Sequence, residues 1–161
     1  MTSSIAVEVL PHTSAGLLKD IIEPARTALL LIDVQVDFVS PEGVIGMAGV
    51  DMSSITSAID KMETLRAAAK AQGATVAFLR VVTREETDSD ALKNLYAWRG
   101  HPGQHAICRA DEPGSDYFRL FPEEGDIDVE KVLFDGFFGT DLEEQLRARG
   151  IDTLIVAGVT T

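Results

Sequence analysis

Two residues of opposite charge, Asp33 and Lys131, stand at or beside apolar runs of the sequence. Asp33 directly follows the apolar run 28–32, and Lys131 lies just before the apolar residues 132–134. A carboxylate and an ammonium that share a half-buried cleft shift each other's pKa and can exchange protons with a bound molecule. Such a pair still lacks a nucleophile. On composition alone, a surface ion pair between Lys131 and any of the 26 acidic residues is the commoner arrangement.

The elements that must position these residues begin with the run 28–32. Its uninterrupted apolar character is typical of a strand buried on both faces of a parallel sheet. Apolar residues at helical spacing then predict a helix up to Gln72, with Gly73 at its C-terminal end. The apolar run 75–82 predicts a second strand. Strand, helix and strand in this order form a right-handed βαβ unit.

The rest of the chain extends the same pattern. We expect a third strand at 130–134, a helix that ends at Gly150, and a fourth strand at 153–157. The fold class is therefore α/β, a doubly wound, Rossmann-like parallel sheet with helices on both faces. Ligands bind at the carboxyl ends of the strands in such sheets, which is where Asp33 and the turn 158–161 fall. The helix that should follow the fourth strand is absent, so the C-terminal part of the sheet is expected to be missing.

The domain organisation follows from these elements. Residues 1–26 form an N-terminal lead-in, and residues 27–161 form one domain. Within it, residues 83–128 are long, polar and irregular, which is typical of an insertion or a functional lid. We expect this insertion to carry a short helix at 88–98.

Composition excludes several classes of function. The net charge of −12 and the pI of about 4.5 disfavour binding to a phosphate backbone. The first residues lack the charged and apolar regions of a signal peptide, and no apolar run approaches the length of a membrane span. A cytoplasmic location is the expectation. Cys108 is the single cysteine, which excludes an internal disulfide.

Two further motifs carry weaker signals. Gly43, Gly46 and Gly49 have a phosphate-loop-like spacing, but they begin too far beyond the first strand, and a plain loop is the better interpretation. His101 and His105 precede Cys108 at a spacing that could suggest zinc. Pro102 and Gly103 break any helix that would align the two histidines, so unrelated loop residues are the better interpretation. Cys108 acting as a nucleophile with either histidine is a remote alternative.

Two blocks of the sequence resemble the isochorismatase-like cysteine hydrolases. The first is LLLIDVQVDF at 29–38, and the second is KVLFDGFFGTDLEEQLRARGIDTLIVAGVTT at 131–161. The resemblance covers residues 27–161. The second block is the more specific one, since it matches the family in register at Lys131, Phe137, Thr140, Leu142, Leu146 and Gly158.

The resemblance implies a catalytic triad of Asp, Lys and Cys. Asp33 and Lys131 occupy the first two positions, while the nucleophilic cysteine of the family would fall at position 164, just beyond the chain. We therefore expect the chain to be cut before its nucleophile and the 161-residue form to be inactive. The family also implies a cis peptide at Val159–Thr160, which would direct backbone N–H groups at an oxyanion.

The positions expected to contact the substrate match the family pattern less closely. Phe134 and Asp135 stand where many members have Tyr and Ser. The metal-binding branch of the family uses histidines shortly after the second strand, and residues 83–90 contain none, so neither a metal nor another cofactor is expected. Apolar residues that could wall a substrate pocket are Phe38, Trp98 and Phe137, although core packing explains each nearly as well.

The predicted function is hydrolysis of a small amide or ureido C–N bond through a thioester. The alternatives are an isochorismatase-type vinyl ether hydrolase, which does not use the cysteine, and a catalytically inactive scaffold or binding subunit of the same fold. The resemblance implies a homo-oligomer, a dimer or a tetramer. Neither nucleic acid nor a membrane is an expected partner.

Overall fold

The computed structural model describes residue 18 and residues 21–103, 105–132 and 134–159. Within these ranges the chain forms a parallel sheet of four strands. The strands are β1 (Thr27–Ile32), β2 (Thr75–Val81), β3 (Ile127–Lys131) and β4 (Thr153–Gly158).

The described helices that connect these strands lie between β1 and β4. Two short helices follow β1 directly, a long helix leads into β2, one helix lies in the insertion, and one connects β3 to β4. They are α1 (Val36–Val39), α2 (Val44–Met47), α3 (Ser53–Ala71), α4 (Asp90–Trp98) and α5 (Leu142–Ala148). Within the described ranges, every helix is too short or too polar to traverse a lipid bilayer.

The strand order β3-β2-β1-β4 makes the sheet doubly wound. The chain moves outward from β1 through β2 to β3, and α5 then carries it back to the other side of β1. The direction of winding therefore reverses between β1 and β4, and this switch point is where α/β sheets open a crevice. The predicted fold class is confirmed.

Both faces of the sheet are covered over β1 and β2. On one face, Leu29, Leu31 and Phe78 pack against Ile59 and Met62 of α3. On the opposite face, strand residues pack against α5; this second cluster comprises Ala28, Leu30, Ala77, Leu79, Ile127, Val129, Leu142 and Leu146. These two clusters explain why β1 is apolar at every position from Ala28 to Ile32.

The outer strand β4 is covered on one face only. Ile155 and Ala157 pack against the α3 side of the core, whereas Leu154 is 39% and Val156 is 61% exposed on the α5 side. Among the described residues, β4 has a neighbouring strand on one side alone.

The third strand begins and ends three residues earlier than its sequence indicates. The strand was predicted at 130–134, but β3 runs over Ile127–Lys131, with Ile127, Val129 and Lys131 buried and Asp128 and Glu130 exposed. This alternation arises because β3 is an edge strand with one solvated face. Lys131 is thus the last residue of the strand and lies at its carboxyl end.

The stretch that contains Gly43, Gly46 and Gly49 forms the short helix α2, where a plain loop was predicted. A Cβ on Gly43 would lie 2.0 Å from the Val36 carbonyl oxygen, and one on Gly46 would lie 2.4 Å from the Ser40 carbonyl oxygen. These two glycines therefore allow short helical turns to pack backbone against backbone.

The α5 face of the core provides a test of the fold. We expect Leu146→Ala to lower the free energy of unfolding by about 3 kcal/mol, because it leaves a cavity between α5 and the sheet. Leu95→Ala on α4 is the matched control, since Leu95 is 36% exposed and Leu146 only 4%; we expect its cost to stay under about 1 kcal/mol. Urea unfolding measures both values, and equal losses would contradict the packing described here.

Candidate active site

An ion pair between Asp33 and Lys131 lies at the carboxyl ends of β1 and β3. The Lys131 Nζ is 3.0 Å from Asp33 Oδ1 and 3.1 Å from Oδ2. The Lys131 side chain is 2% exposed and that of Asp33 is 8% exposed. The pair is therefore shielded from water, and its interaction is stronger than that of a surface ion pair.

The backbone at Asp33 turns sharply away from the sheet. Its φ is +59°, a left-handed conformation that aspartate adopts more readily than most residues. The Asp33 N–H still donates to the Leu79 carbonyl of β2 at 2.9 Å. Asp33 is thus anchored to the sheet and begins the loop that leads into α1.

Gln35 ties this loop to β2. Its side-chain oxygen accepts from the Val81 N–H, and its Nε2 donates to the carbonyls of Val81 and Ser115, all at 2.8–2.9 Å. Gln35 is fully buried. A buried amide with all these partners rigidifies its surroundings, so Gln35 holds the end of β2 and the insertion beside Asp33.

Asp37 ties the insertion to α1. Its carboxylate accepts from the Cys108 N–H at 2.7 Å and from the Val44 N–H at 3.3 Å. A Cβ on Gly114 would lie 2.3 Å from the Asp37 Oδ2, so only glycine fits there. The carboxylate therefore fixes where the segment around Cys108 lies relative to β1.

The end of β4 completes the switch point beside Asp33. Gly158 pairs with Ile32, and a Cβ on Gly158 would lie 2.6 Å from the Ile32 carbonyl oxygen. Glycine at this position lets the carboxyl ends of β1 and β4 approach closely.

A cavity of about 580 Å³ opens over the Asp33–Lys131 pair. Its walls come from the strand ends, from α2 and α4, and from the insertion, and they are predominantly apolar. The lining residues are Ile32, Asp33, Phe38, Ile45, Val81, Thr83, Leu92, Tyr96, His105, Ile107, Lys131, Val132, Phe134, Val156, Ala157, Gly158 and Val159. An apolar cavity with a few converging polar groups is the usual form of a small-molecule site.

The residues predicted as pocket walls lie in different places. Phe38 lines the cavity. Trp98 and Phe137 do not belong to its lining among the described residues, and their exposures are 87% and 43%. Trp98 lies at the last turn of α4, and it is Leu92 and Tyr96, one turn apart on that helix, that line the cavity.

The predicted oxyanion residues are described only in part. Val159 lines the cavity, while Thr160 lies outside the described residues, so the predicted cis peptide between them stays a prediction.

Sequence reasoning missed Gln35 and Asp37. The sequence feature that could have identified them is the alternation of Asp33, Gln35 and Asp37 with apolar residues directly after a buried strand. Polar residues at every second position there are expected to need buried partners.

Cys108 is fully buried close to the ion pair. Burial, together with the negative charges of Asp37 and Asp33, raises the pKa of its thiol. Since the thiolate is the reactive form, Cys108 is unsuited to act as a nucleophile in this structure.

The histidines predicted as possible zinc ligands, His101 and His105, lie in the insertion. Across the described ranges, no group of three His, Cys, Asp or Glu side chains is placed to hold a metal ion. His105 Nε2 lies 3.5 Å from the Asp88 carboxylate, which Arg109 binds through two nitrogens. These residues form an ion-pair cluster at the cavity wall.

The comparisons with known proteins agree on one protein family. The family model described as the isochorismatase domain matches residues 27–161. The chain is 32% identical over 153 residues to ureidoacrylate amidohydrolase RutB of Klebsiella pneumoniae, a match that covers 86% of this chain and 63% of the relative. The chain thus spans about three-fifths of the length of the curated relatives it matches.

Solved structures with the same architecture include a cysteine hydrolase from Pseudomonas syringae. It has a TM-score of 0.68 and 30% identity, and the match covers 85% of this chain and 61% of that one. A pyrazinamidase of Pyrococcus horikoshii, solved in complex with zinc, has a TM-score of 0.65 and 25% identity, with coverages of 84% and 72%. Histidines are absent from residues 83–90 of the present chain.

Disrupting one member of the buried pair should destabilise the protein strongly. We expect Lys131→Met to cost about 3 kcal/mol or more of unfolding free energy, because the Asp33 carboxylate stays buried without the ammonium beside it. Adding Asp33→Asn to this variant should recover part of the loss. Lys61→Met, at an exposed position of α3, is the control and should change stability by under about 0.5 kcal/mol. Additive losses in the double variant would contradict the pairing.

The thiol of Cys108 should be unreactive in the native 161-residue chain, where it is the sole cysteine. Its raised pKa leaves little thiolate at pH 8, and burial blocks access. We expect iodoacetamide to label it in denaturant at least about a hundredfold faster than in buffer. Mass spectrometry measures both rates. Rapid native labelling would return Cys108 to the list of possible nucleophiles.

Proposed function

Because this chain belongs to the isochorismatase family, we propose that the protein hydrolyses a C–N bond of a small amide or ureido compound. The observation that carries the proposal is the buried Asp33–Lys131 ion pair, 3.0 Å apart at the base of an apolar cavity. The similarity to ureidoacrylate amidohydrolase over 86% of the chain supports the same class of reaction.

The proposed nucleophile is a cysteine at position 164, in a segment that follows Thr161. Asp33 accepts the proton of its thiol, and the thiolate attacks the carbonyl carbon of the substrate. The tetrahedral intermediate collapses to a thioester as ammonia or an amine leaves with a proton returned from Asp33. Water then attacks the thioester, releases the acid and restores the thiol.

Lys131 has an electrostatic role in this proposal. Its ammonium lies within 3.1 Å of both Asp33 oxygens, so it holds the carboxylate in place for the proton transfer. Backbone N–H groups at Val159–Thr160 would stabilise the oxyanion, as the family resemblance implies. Charge of this kind is stabilised more strongly inside an apolar cavity than in water.

The proposed assembly is a cytoplasmic homo-oligomer, a dimer or a tetramer, that acts on a small molecule. The exposed Leu154 and Val156 on the outer strand support an apolar contact at that side. The 161-residue form by itself is proposed to be inactive, because its one thiol, Cys108, is buried and has a raised pKa.

The full-length gene product tests this function. We expect it to carry Cys at position 164 and to release ammonia from a panel of carboxamides and ureido acids. Asp33→Asn and Lys131→Ala should each lower kcat by at least about a thousandfold, while Lys61→Ala at the exposed control position should leave it unchanged.

Several outcomes would contradict the proposal. Undiminished turnover in the Asp33 or Lys131 variants would show that these residues do not have the proposed catalytic roles. Gly or Ala at position 164 would favour the vinyl ether hydrolase, and an intact protein with no turnover of either substrate class would favour the inactive scaffold.

A further inference from the structure

Helix α4 forms one wall of the cavity through a single face. Leu92 and Tyr96 lie four residues apart, which places them on the same side of the helix, and both line the cavity. Each is half-buried, so part of each side chain is open to a bound molecule. Leu95, on the same helix, is 36% exposed and does not belong to the described lining. The position of α4 therefore determines how much room the cavity has on this side.

The placement of α4 depends on contacts at its start. Among the described residues, the helix contributes no side chain to either of the two core clusters. The Ser89 hydroxyl accepts from the Leu92 N–H at 3.2 Å, which caps the first turn but does not join the helix to the sheet. At the other end the chain turns away at Gly100, whose φ is +82°.

An ion pair between Asp88 and Arg109 joins the start of α4 to the rest of the domain. Asp88 lies two residues before the helix, and its carboxylate accepts from two Arg109 nitrogens at 2.9 and 2.6 Å. The two side chains are 5% and 17% exposed. Two such hydrogen bonds fix the orientation of the partners as well as their distance. The hydrogen bonds from Arg109 also lower the pKa of Asp88, which keeps the carboxylate ionised at neutral pH.

The backbone of Arg109 is in turn fixed to the end of β2. Thr83, two residues after that strand, donates its N–H to the Cys108 carbonyl at 2.9 Å, and its carbonyl accepts from the Ala110 N–H at 3.0 Å. These two hydrogen bonds enclose Arg109 in a parallel bridge. The Asp37 carboxylate holds the Cys108 N–H at 2.7 Å. The guanidinium therefore extends from a backbone that is tied both to the sheet and to α1.

From these contacts we propose that the Asp88–Arg109 ion pair holds α4 over the cavity, so that Leu92 and Tyr96 contact the acyl group of the substrate and select a bulky apolar one. Neither Asp88 nor Arg109 belongs to the described lining, so the pair is a positioning pair that acts through the helix. Apolar area buried against Leu92 and Tyr96 favours a larger acyl group over a small one. The inference rests on the proposed hydrolase function and specifies its substrate class.

Hydrogen–deuterium exchange of the full-length protein tests the positioning without a substrate. We expect Asp88→Asn to speed exchange of the α4 amides at least about tenfold, while exchange in α5 changes by less than about twofold. Asp60→Asn is the matched control, because Asp60 also binds an arginine, Arg119, but at an exposed position of α3. It should leave exchange in α4 unchanged. Mass spectrometry of peptides measures the rates.

Unchanged exchange of α4 in Asp88→Asn would overturn the positioning role. If this variant raises exchange throughout the protein, the milder Arg109→Lys replaces it, since lysine keeps the charge but loses the planar fork of donors. A faster exchange of α4 than of α5 in Arg109→Lys supports the inference, and an equal change in both helices overturns it.

A matched pair of substrates tests the selection by α4 in the full-length protein. Acetamide and 3-phenylpropanamide have the same amide group and differ in the size of the acyl group. We expect kcat/KM, measured by ammonia release, to be at least about tenfold higher for the phenyl compound. Tyr96→Ala should remove most of this preference, while Leu95→Ala should leave it within about twofold. An undiminished preference in the Tyr96 variant, or an equal loss in the Leu95 variant, would overturn the selection.

The kinetics of Asp88→Asn connect the ion pair to the selection. We expect KM for 3-phenylpropanamide to rise about tenfold, with kcat within about threefold and KM for acetamide within about twofold. A loss of folded enzyme would instead lower kcat for both amides and leave KM unchanged. An unchanged KM for the phenyl compound, or an equal rise for both amides, would overturn the inference while leaving the hydrolase function intact.

Failure of the hydrolase function itself is separable from failure of this inference. If neither amide is turned over, calorimetric titration with 3-phenylpropanamide replaces the kinetics. A Kd that is about tenfold weaker in Asp88→Asn than in the unaltered protein then supports the inference. Equal Kd values, or no binding to the unaltered protein, overturn it.

Discussion

The ion pair between Asp33 and Lys131 is the interaction on which the rest of the site depends. Moving a carboxylate and an ammonium out of water costs several kcal/mol for each ion, and only close contact and further hydrogen bonding offset that cost. Here the two charges are within 3.1 Å and almost completely buried. The sheet must therefore hold the ends of β1 and β3 in fixed register, although β2 lies between them.

Three sets of close contacts hold the strand ends in this fixed arrangement. Gln35 bonds to both the N–H and the carbonyl of Val81, which fixes the end of β2 against the loop after β1. Asp37 holds the Cys108 segment of the insertion. Gly158 allows β4 to approach Ile32 more closely than any residue with a Cβ would. Each of these three contacts involves few atoms, but together they position the strand ends and the insertion around the cavity.

Burial of the ion pair costs desolvation free energy, but it also strengthens the electrostatic effect of the two charges on their surroundings. A cavity with apolar walls has a low effective dielectric, so the field of the Lys131 ammonium acts on Asp33 and on a bound carbonyl with little screening. The insertion adds His105 and Ile107 to this cavity, and α4 adds Leu92 and Tyr96. The cavity is thus built from two parts of the chain, with the ion pair at the strand ends and much of the apolar wall from the insertion.

The sequence by itself determined the parallel α/β sheet and the position of Asp33. The apolar run of β1 can be buried on both faces only in a sheet covered by helices on both sides, and this constraint is local to the run. The sequence also predicted the bounds of α3 and β2 closely. The predicted position of the edge strand β3 was wrong by three residues, because the apolar residues 132–134 obscured the alternating pattern that one-sided burial produces.

Only the tertiary structure decided which residues meet at the cavity. The contact between Asp33 and Lys131 depends on the strand order, which a single sequence does not encode locally. Residues 83–128 were predicted to be an insertion or a lid, but their irregular sequence did not indicate that His105 and Tyr96 line the cavity while Trp98 is exposed. Local patterns specify the elements of this protein, whereas the packing of distant segments against one another specifies its site.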